Sequence, residues 1–298
     1  MDIVLLKITT IFTTLASMLV YNFRKHFKGI KTKYNISYSK GKGIWFKKLD
    51  VHYSKNFKEE EVKPCIIYFH GGGWATFSKC VYTTLTRRFA KMGYVVFNVN
   101  YVLAPKYKME QVINSCFEAV KFVQSNATNF GGDPSKIVLA GDSAGAHISS
   151  LLTGWIKSKK VQDEELENSI KALVLLYGVY DLTTMQTTGF PRIKTYTKAV
   201  LKNKGISKEE NDEYSPINYV GNNNYPPCFI ASGEIDKLHK SQSEEFNNWL
   251  KEKNIKTKTL FYDKNEPRAF HAYMVFDDLI TNEQTRNEIS KFLEEVFK

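Results

Sequence analysis

The sequence predicts an α/β fold, a mostly parallel sheet with helices on both faces. Three observations carry that prediction. Short apolar runs recur through the chain, as in strands buried on both faces. Segments of helical period separate them, and parallel neighbours need such crossovers. The composition, 43% hydrophobic with 20 Phe, 17 Tyr and 4 Trp in 298 residues, supplies a core that disordered or low-complexity chains lack.

The elements follow in order. Residues 43–53 read as one or two exposed strands, and Cys65-Ile66-Ile67-Tyr68-Phe69 as a buried one. Residues 78–92 have helical spacing, 94–99 form a second buried strand, and 109–124 return to helix. A strand at 136–140 leads into a helix at 144–157. Strands at 172–176, 228–231 and 257–262 complete the sheet, with helices at 241–253 and 281–297. Residues 181–225 break the rhythm with polar, Pro- and Asn-containing sequence. No internal repeat is present. One catalytic-sized domain at 59–298, with an insertion at about 181–225, is therefore expected.

The charge is local. Eleven Lys/Arg and a single acid, Asp50, between residues 24 and 58 account for +10 of the net +11. No nucleic-acid-binding motif accompanies them, so nucleic acid is not the expected partner. Ahead of them, residues 3–21 are apolar at 13 of 19 positions with one charge, Lys7. That pattern predicts a single-pass anchor in segment 1–23, with 24–58 a basic juxtamembrane segment and first strands; the side of the membrane stays open. A signal peptide and a helix packed over the site are the alternatives. Cys65, Cys80, Cys116 and Cys228 form no CxxC pair, which argues against zinc and against a disulfide scaffold.

Two motifs carry chemistry. Gly141-Asp142-Ser143-Ala144-Gly145 falls between a predicted strand and a predicted helix, where a sharp turn lifts a serine above the sheet. His70-Gly71-Gly72-Gly73-Trp74 directly follows the strand ending at Phe69. Three successive glycines weaken packing and cost backbone entropy, so they make sense where bare N–H groups must face an anion. Gly72, Gly73 and Ala144 are the expected oxyanion donors, with His70 and Gly71 supporting the loop.

Taken together, HGGGW and an elbow serine 73 residues beyond its histidine resemble the hormone-sensitive-lipase-like branch of the α/β-hydrolase family, which includes arylacetamide-deacetylase-like esterases. Tyr101-Val102-Leu103-Ala104-Pro105 is similar to that branch's Y-R-L-A-P segment, with Val102 in place of Arg. The resemblance implies an eight-stranded sheet, a cap made from the N-terminal segment and the insertion, and carboxylic-ester hydrolysis without metal or organic cofactor. In this fold the order is nucleophile, acid, base. Of six histidines, only His239 and His271 follow a late strand. His271, reached by a loop after residues 257–262, is the expected base; His26, His52, His147 and His239 read as surface or packing residues. The segment Ser232–Leu238 is similar to the family's G-x-x-D-x-L, placing the acid at Asp236 with Glu234 as alternative. Asp142 reads as structural. Ala146, Phe270 and Tyr273 depart from the family's usual residues without removing a catalytic group.

The expected activity is a serine esterase acting through an acyl-enzyme on small or medium acyl esters. An arylformamidase-like amidase is the alternative, from the Ser143-Ala144-Gly145-Ala146-His147 run. A non-catalytic ligand-binding receptor on the same fold is the third reading.

Overall fold

Eight strands form one sheet in the order β1-β2-β4-β3-β5-β6-β7-β8. They are β1 (Ile30–Ser37), β2 (Lys48–Ser54), β3 (Lys63–Phe69), β4 (Val95–Val99), β5 (Gly132–Asp142), β6 (Ile170–Leu176), β7 (Cys228–Gly233) and β8 (Thr257–Tyr262). β1 and β2 pair antiparallel, as do β2 and β4; β3 to β8 are mutually parallel. This computed structural model describes residues 27–40, 45–56, 61–202, 206–221 and 224–298.

Alternation along each strand sorts side chains into two layers. Cys65, Ile67 and Phe69 of β3 face one side, against α2 (Met109–Asn126), α3 (Ala144–Lys157), α4 (Glu164–Ser169) and α8 (Glu245–Glu252). Ile66 and Tyr68 face the other, against α1 (Thr83–Lys91) and α9 (Ile280–Phe297). Both faces are covered, which is why the central strands read as unbroken apolar runs. Between β6 and β7 three short helices, α5 (Leu182–Met185), α6 (Ile193–Val200) and α7 (Lys208–Tyr214), rise over the carboxyl ends of the strands. Ser207 and Glu210 form a capping box at the start of α7.

Two expectations need correction. Residues 49–53 are buried rather than exposed, because β2 pairs on both edges and packs against α1. Lys31 and Lys33 belong to the edge strand β1, where lysine discourages pairing with another chain. The basic run is therefore partly the outer edge of the sheet.

The single-pass membrane placement is overturned as well. Among the described residues no helix is long and apolar enough to cross a membrane. The longest, α2 and α9, have 18 residues each and carry charges along the stripe away from the sheet. The apolar stretch 3–21, like His26, lies outside the described residues.

Candidate active site

The site is assembled at the carboxyl ends of β3, β5, β7 and β8. β5 ends at Asp142, and Ser143 turns the chain into α3 with φ 50° and ψ −117°. Such a backbone costs energy for a non-glycine residue, and it raises the hydroxyl above the sheet. The turn is locked from below, since the Ser143 N–H donates to the Leu176 carbonyl (2.9 Å). Gly145 must be glycine, because a Cβ there would lie 1.9 Å from the Phe69 carbonyl oxygen.

Ser143 Oγ lies 3.0 Å from His271 Nε2, and His271 Nδ1 lies 2.7 Å from Asp236 Oδ2. The Asp236 side chain is fully buried, and its other oxygen accepts the Leu238 N–H (3.0 Å). The His271 ring is held edge-on between Tyr177 and Phe190, at centroid distances of 5.1 and 4.5 Å. The three residues thus form one hydrogen-bonded line, a hydroxyl, an imidazole and a buried carboxylate, the arrangement that nucleophilic catalysis requires. Glu234 does not join them: it is exposed and accepts the Lys264 N–H. His239 is buried beside Ser232 Oγ (2.7 Å), and His52 beside Thr32 Oγ1 (2.9 Å), so both pack rather than react.

The glycine loop closes the other wall. Gly72 and Gly73 have φ of +106° and +58°, values that favour glycine. His70 donates from Nδ1 to the Gly71 carbonyl (2.7 Å) and stacks on Tyr101 at 4.3 Å, with the Tyr101 hydroxyl donating back to the His70 carbonyl. Burial, partly offset by the Gly71 carbonyl, pulls the His70 imidazole down to about 4. It is a neutral brace. Ala144 supplies the first of the N–H groups that a helix start leaves without an intrahelical partner.

Asp142 has more contacts than the sequence indicated. It accepts from the Gly71 N–H (2.8 Å), the Tyr82 hydroxyl (2.8 Å) and the Tyr68 hydroxyl (3.1 Å). Burial raises its carboxyl to about 6, against the pull of Tyr82, the His271 charge, Tyr68 and Gly71. It ties the glycine loop to the elbow. His147 ties the elbow helix to the cap: Trp74 Nε1 donates to its Nδ1 (3.2 Å), and its Nε2 donates to the Tyr214 carbonyl (2.8 Å). Burial pulls His147 down to about 4 as well. Both nitrogens are occupied, which removes it from the chemistry.

Ser143 and His271 open into a cavity of about 220 Å³ that also touches Gly72, Gly73 and Ala144. Its apolar walls are Trp74, Phe77, Val179 and Leu238 together with Phe190, Ile193 and Tyr196 of the cap segment. Sequence reasoning missed the last three, because no motif or periodic signal marks them. None of the four cysteines forms a disulfide, and Cys65, Cys116 and Cys228 are buried.

The fold is shared with solved esterases. Esterase B from Lactobacillus Rhamnosis superposes with a TM-score of 0.83 at 18% identity, covering 98% of this chain and 93% of that one. A Pyrobaculum calidifontis esterase gives 0.77 at 21% identity, over 99% and 92%. This is the α/β-hydrolase fold. In sequence, the chain is 29% identical over 219 residues to esterase LipQ of Mycobacterium tuberculosis, covering 70% of this chain and 50% of the relative. It is also 29% identical over 188 residues to an acetyl esterase of Salmonella paratyphi B, covering 58% and 55%. The chain thus spans about half the length of these curated relatives. Residues 49–250, which include the glycine loop, the elbow serine and the carboxylate, match the BD-FAE family, and the chain belongs to it.

Proposed function

We propose that the chain is a serine carboxylic-ester hydrolase that works through an acyl-enzyme on esters of small acyl groups. One observation carries the reading: the Ser143–His271–Asp236 hydrogen-bonded line opens into an apolar cavity beside the glycine loop. His271 Nε2 takes the Ser143 proton as Oγ attacks the ester carbonyl, and Asp236 stabilises the imidazolium. Negative charge develops on the carbonyl oxygen, where the Gly72, Gly73 and Ala144 N–H groups stabilise it. His271 then protonates the leaving alcohol and activates water, which releases the acid and restores Ser143.

Cavity size supports short acyl groups, since sites for drug-sized ligands start at roughly 300 Å³ and this one holds about 220 Å³. The relatives named esterase and acetyl esterase point the same way. In the test, Ser143→Ala is compared with wild type on p-nitrophenyl acetate and butyrate, with thermal melting as the fold control. Turnover falls by at least about 10⁴-fold at an unchanged melting temperature. Retained turnover in a folded Ser143→Ala protein sinks the assignment.

A further inference from the structure

An oxyanion hole needs its N–H groups aimed before the substrate arrives, so whatever holds the carbonyls of the same peptides sets the aim. Among the described residues the single cis peptide is Ala104–Pro105, so the 71–72 and 72–73 peptides are trans. In a trans peptide the C=O and the following N–H point in opposite directions. The Gly71 carbonyl is held by His70 Nδ1 (2.7 Å), which turns the Gly72 N–H away from His70. The Gly72 carbonyl is held more heavily. It accepts from the Thr76 hydroxyl at 2.7 Å, the Thr76 N–H at 3.0 Å and the Ala75 N–H at 3.2 Å. Its partner N–H, that of Gly73, is thereby turned to the opposite side.

The cap presses on the same peptide. Tyr196 of α6 lies flat against Gly73, since a Cβ at Gly73 would meet the ring atoms Cδ1, Cγ and Cε1 at 2.3–2.6 Å. Burial raises the Tyr196 phenol, and the Arg192 charge and the neighbouring Thr76 side chain pull it part of the way back. Both Gly73 and Tyr196 line the cavity with Ser143.

We propose that Thr76 and Tyr196 are positioning residues for the oxyanion hole: Thr76 fixes the Gly72 carbonyl so that the Gly73 N–H faces the reacting carbonyl, and Tyr196 of the cap holds that peptide in place. This rests on the esterase reading above. The effect belongs to the transition state, because the N–H contact strengthens only as the oxyanion forms. Small misplacements of such donors are costly, with about 1 Å worth up to roughly a hundredfold in rate.

The experiment measures kcat and KM for p-nitrophenyl acetate in wild type, Thr76→Val, Thr76→Ser, Tyr196→Phe and Tyr196→Ala, together with inhibition by a trifluoromethyl ketone. Valine puts a methyl where the hydroxyl now meets a carbonyl oxygen at 2.7 Å, so the peptide has to tilt. Thr76→Val lowers kcat about tenfold with KM within twofold, weakens the ketone in parallel with kcat/KM, and Thr76→Ser recovers most of the loss. Tyr196→Ala, which takes the ring off Gly73, loses several-fold in kcat, and Tyr196→Phe, which keeps the ring, loses less. Unchanged kcat in a folded Thr76→Val protein, a loss confined to KM, or a serine variant as poor as valine overturns the proposal. Should Thr76→Val fail to fold, Tyr196→Ala decides alone, and an unchanged kcat there is equally fatal. A wild-type protein that neither turns over esters nor is labelled at Ser143 by a phosphonate overturns the esterase reading itself, whereas active wild type with an indifferent Thr76→Val overturns this proposal only.

Discussion

Around Ser143 the strand ends and the cap meet, and they hold their groups in different ways. On the sheet side the backbone does most of the placing. Ser143 is pinned by the Leu176 carbonyl, Asp236 by a turn on the Gly233 carbonyl, and Gly71 by Asp142. On the cap side single side chains do the tying. His147 reaches the Tyr214 carbonyl, Trp155 the Glu213 carbonyl, Lys108 the Ala199 carbonyl, and Gln242 both the N–H and the carbonyl of Asp181. Backbone placement at sheet ends leaves motifs in a sequence, because it demands particular residues at particular turns. Side-chain tethering leaves scattered residues with no spacing rule. The sheet side accordingly carries Ser143, His271 and Asp236, and the cap segment carries Phe190, Ile193 and Tyr196 of the cavity wall.

The largest expected effect tests the sheet side. Asp236→Asn keeps the shape but removes the charge that orients His271 Nδ1 at 2.7 Å. The kcat for p-nitrophenyl acetate falls about 10⁴-fold, while Glu234→Gln, two residues away and exposed, stays within twofold. Comparable losses in the two variants would mean that the acid is not set by the turn after β7.

The same contrast explains what was legible in the sequence. The parallel strands stood out because burial on both faces writes unbroken apolar runs, and Ser143 and His271 stood out because they follow strand ends in a prescribed order, whereas Asp236 rather than Glu234 came from the likeness to G-x-x-D-x-L. β1 escaped, since its alternation of Ile, Thr and Tyr with Lys is hidden inside a charge run whose lysines sit on an open edge. α4 escaped because its sequence, EELENS, has only Leu166 to bury as an apolar contact and depends on the Asp163 cap. Phe190, Ile193 and Tyr196 were not foreseeable, because their contact with Ser143's cavity depends on how α6 folds back over the sheet.

An intermediate effect probes the joint between the two regions. Burial holds His52 at about 3 and both His70 and His147 at about 4, below the usual 6.5. The unfolded chain takes up these protons before the native one does. Their stabilisation is therefore present above pH 6.5 and is lost as pH falls toward 4. Asp142, raised to about 6, has the opposite sign: its contribution is present below about 3.8 and is lost as pH rises through 6. Three histidines outweigh one carboxylate, so the urea midpoint drops between pH 6.5 and 4.5. His147→Gln, which removes the clip from Trp74 to the cap, lowers the slope by up to one proton, about 1.4 kcal/mol per pH unit. A midpoint independent of pH across this range would show that these imidazoles titrate together in both states.

The smallest effect belongs to the cap wall. Ile193 is 7% exposed and lines the cavity with Phe190, so truncating it enlarges that cavity without touching Ser143, His271 or Asp236. A missing wall of a few methylenes is worth about 1–3 kcal/mol of discrimination between neighbouring chain lengths. Ile193→Ala therefore shifts the ratio of kcat/KM for p-nitrophenyl hexanoate over acetate upward by about tenfold, while kcat for the acetate stays within threefold. The same substitution removes packing from α6, which carries Tyr196 against Gly73. The two outcomes separate cleanly: a wider pocket raises the longer ester alone, whereas a loosened α6 lowers kcat for every ester. A profile unchanged for both would mean that the chamber is bounded by the sheet side, with the cap serving only as its cover.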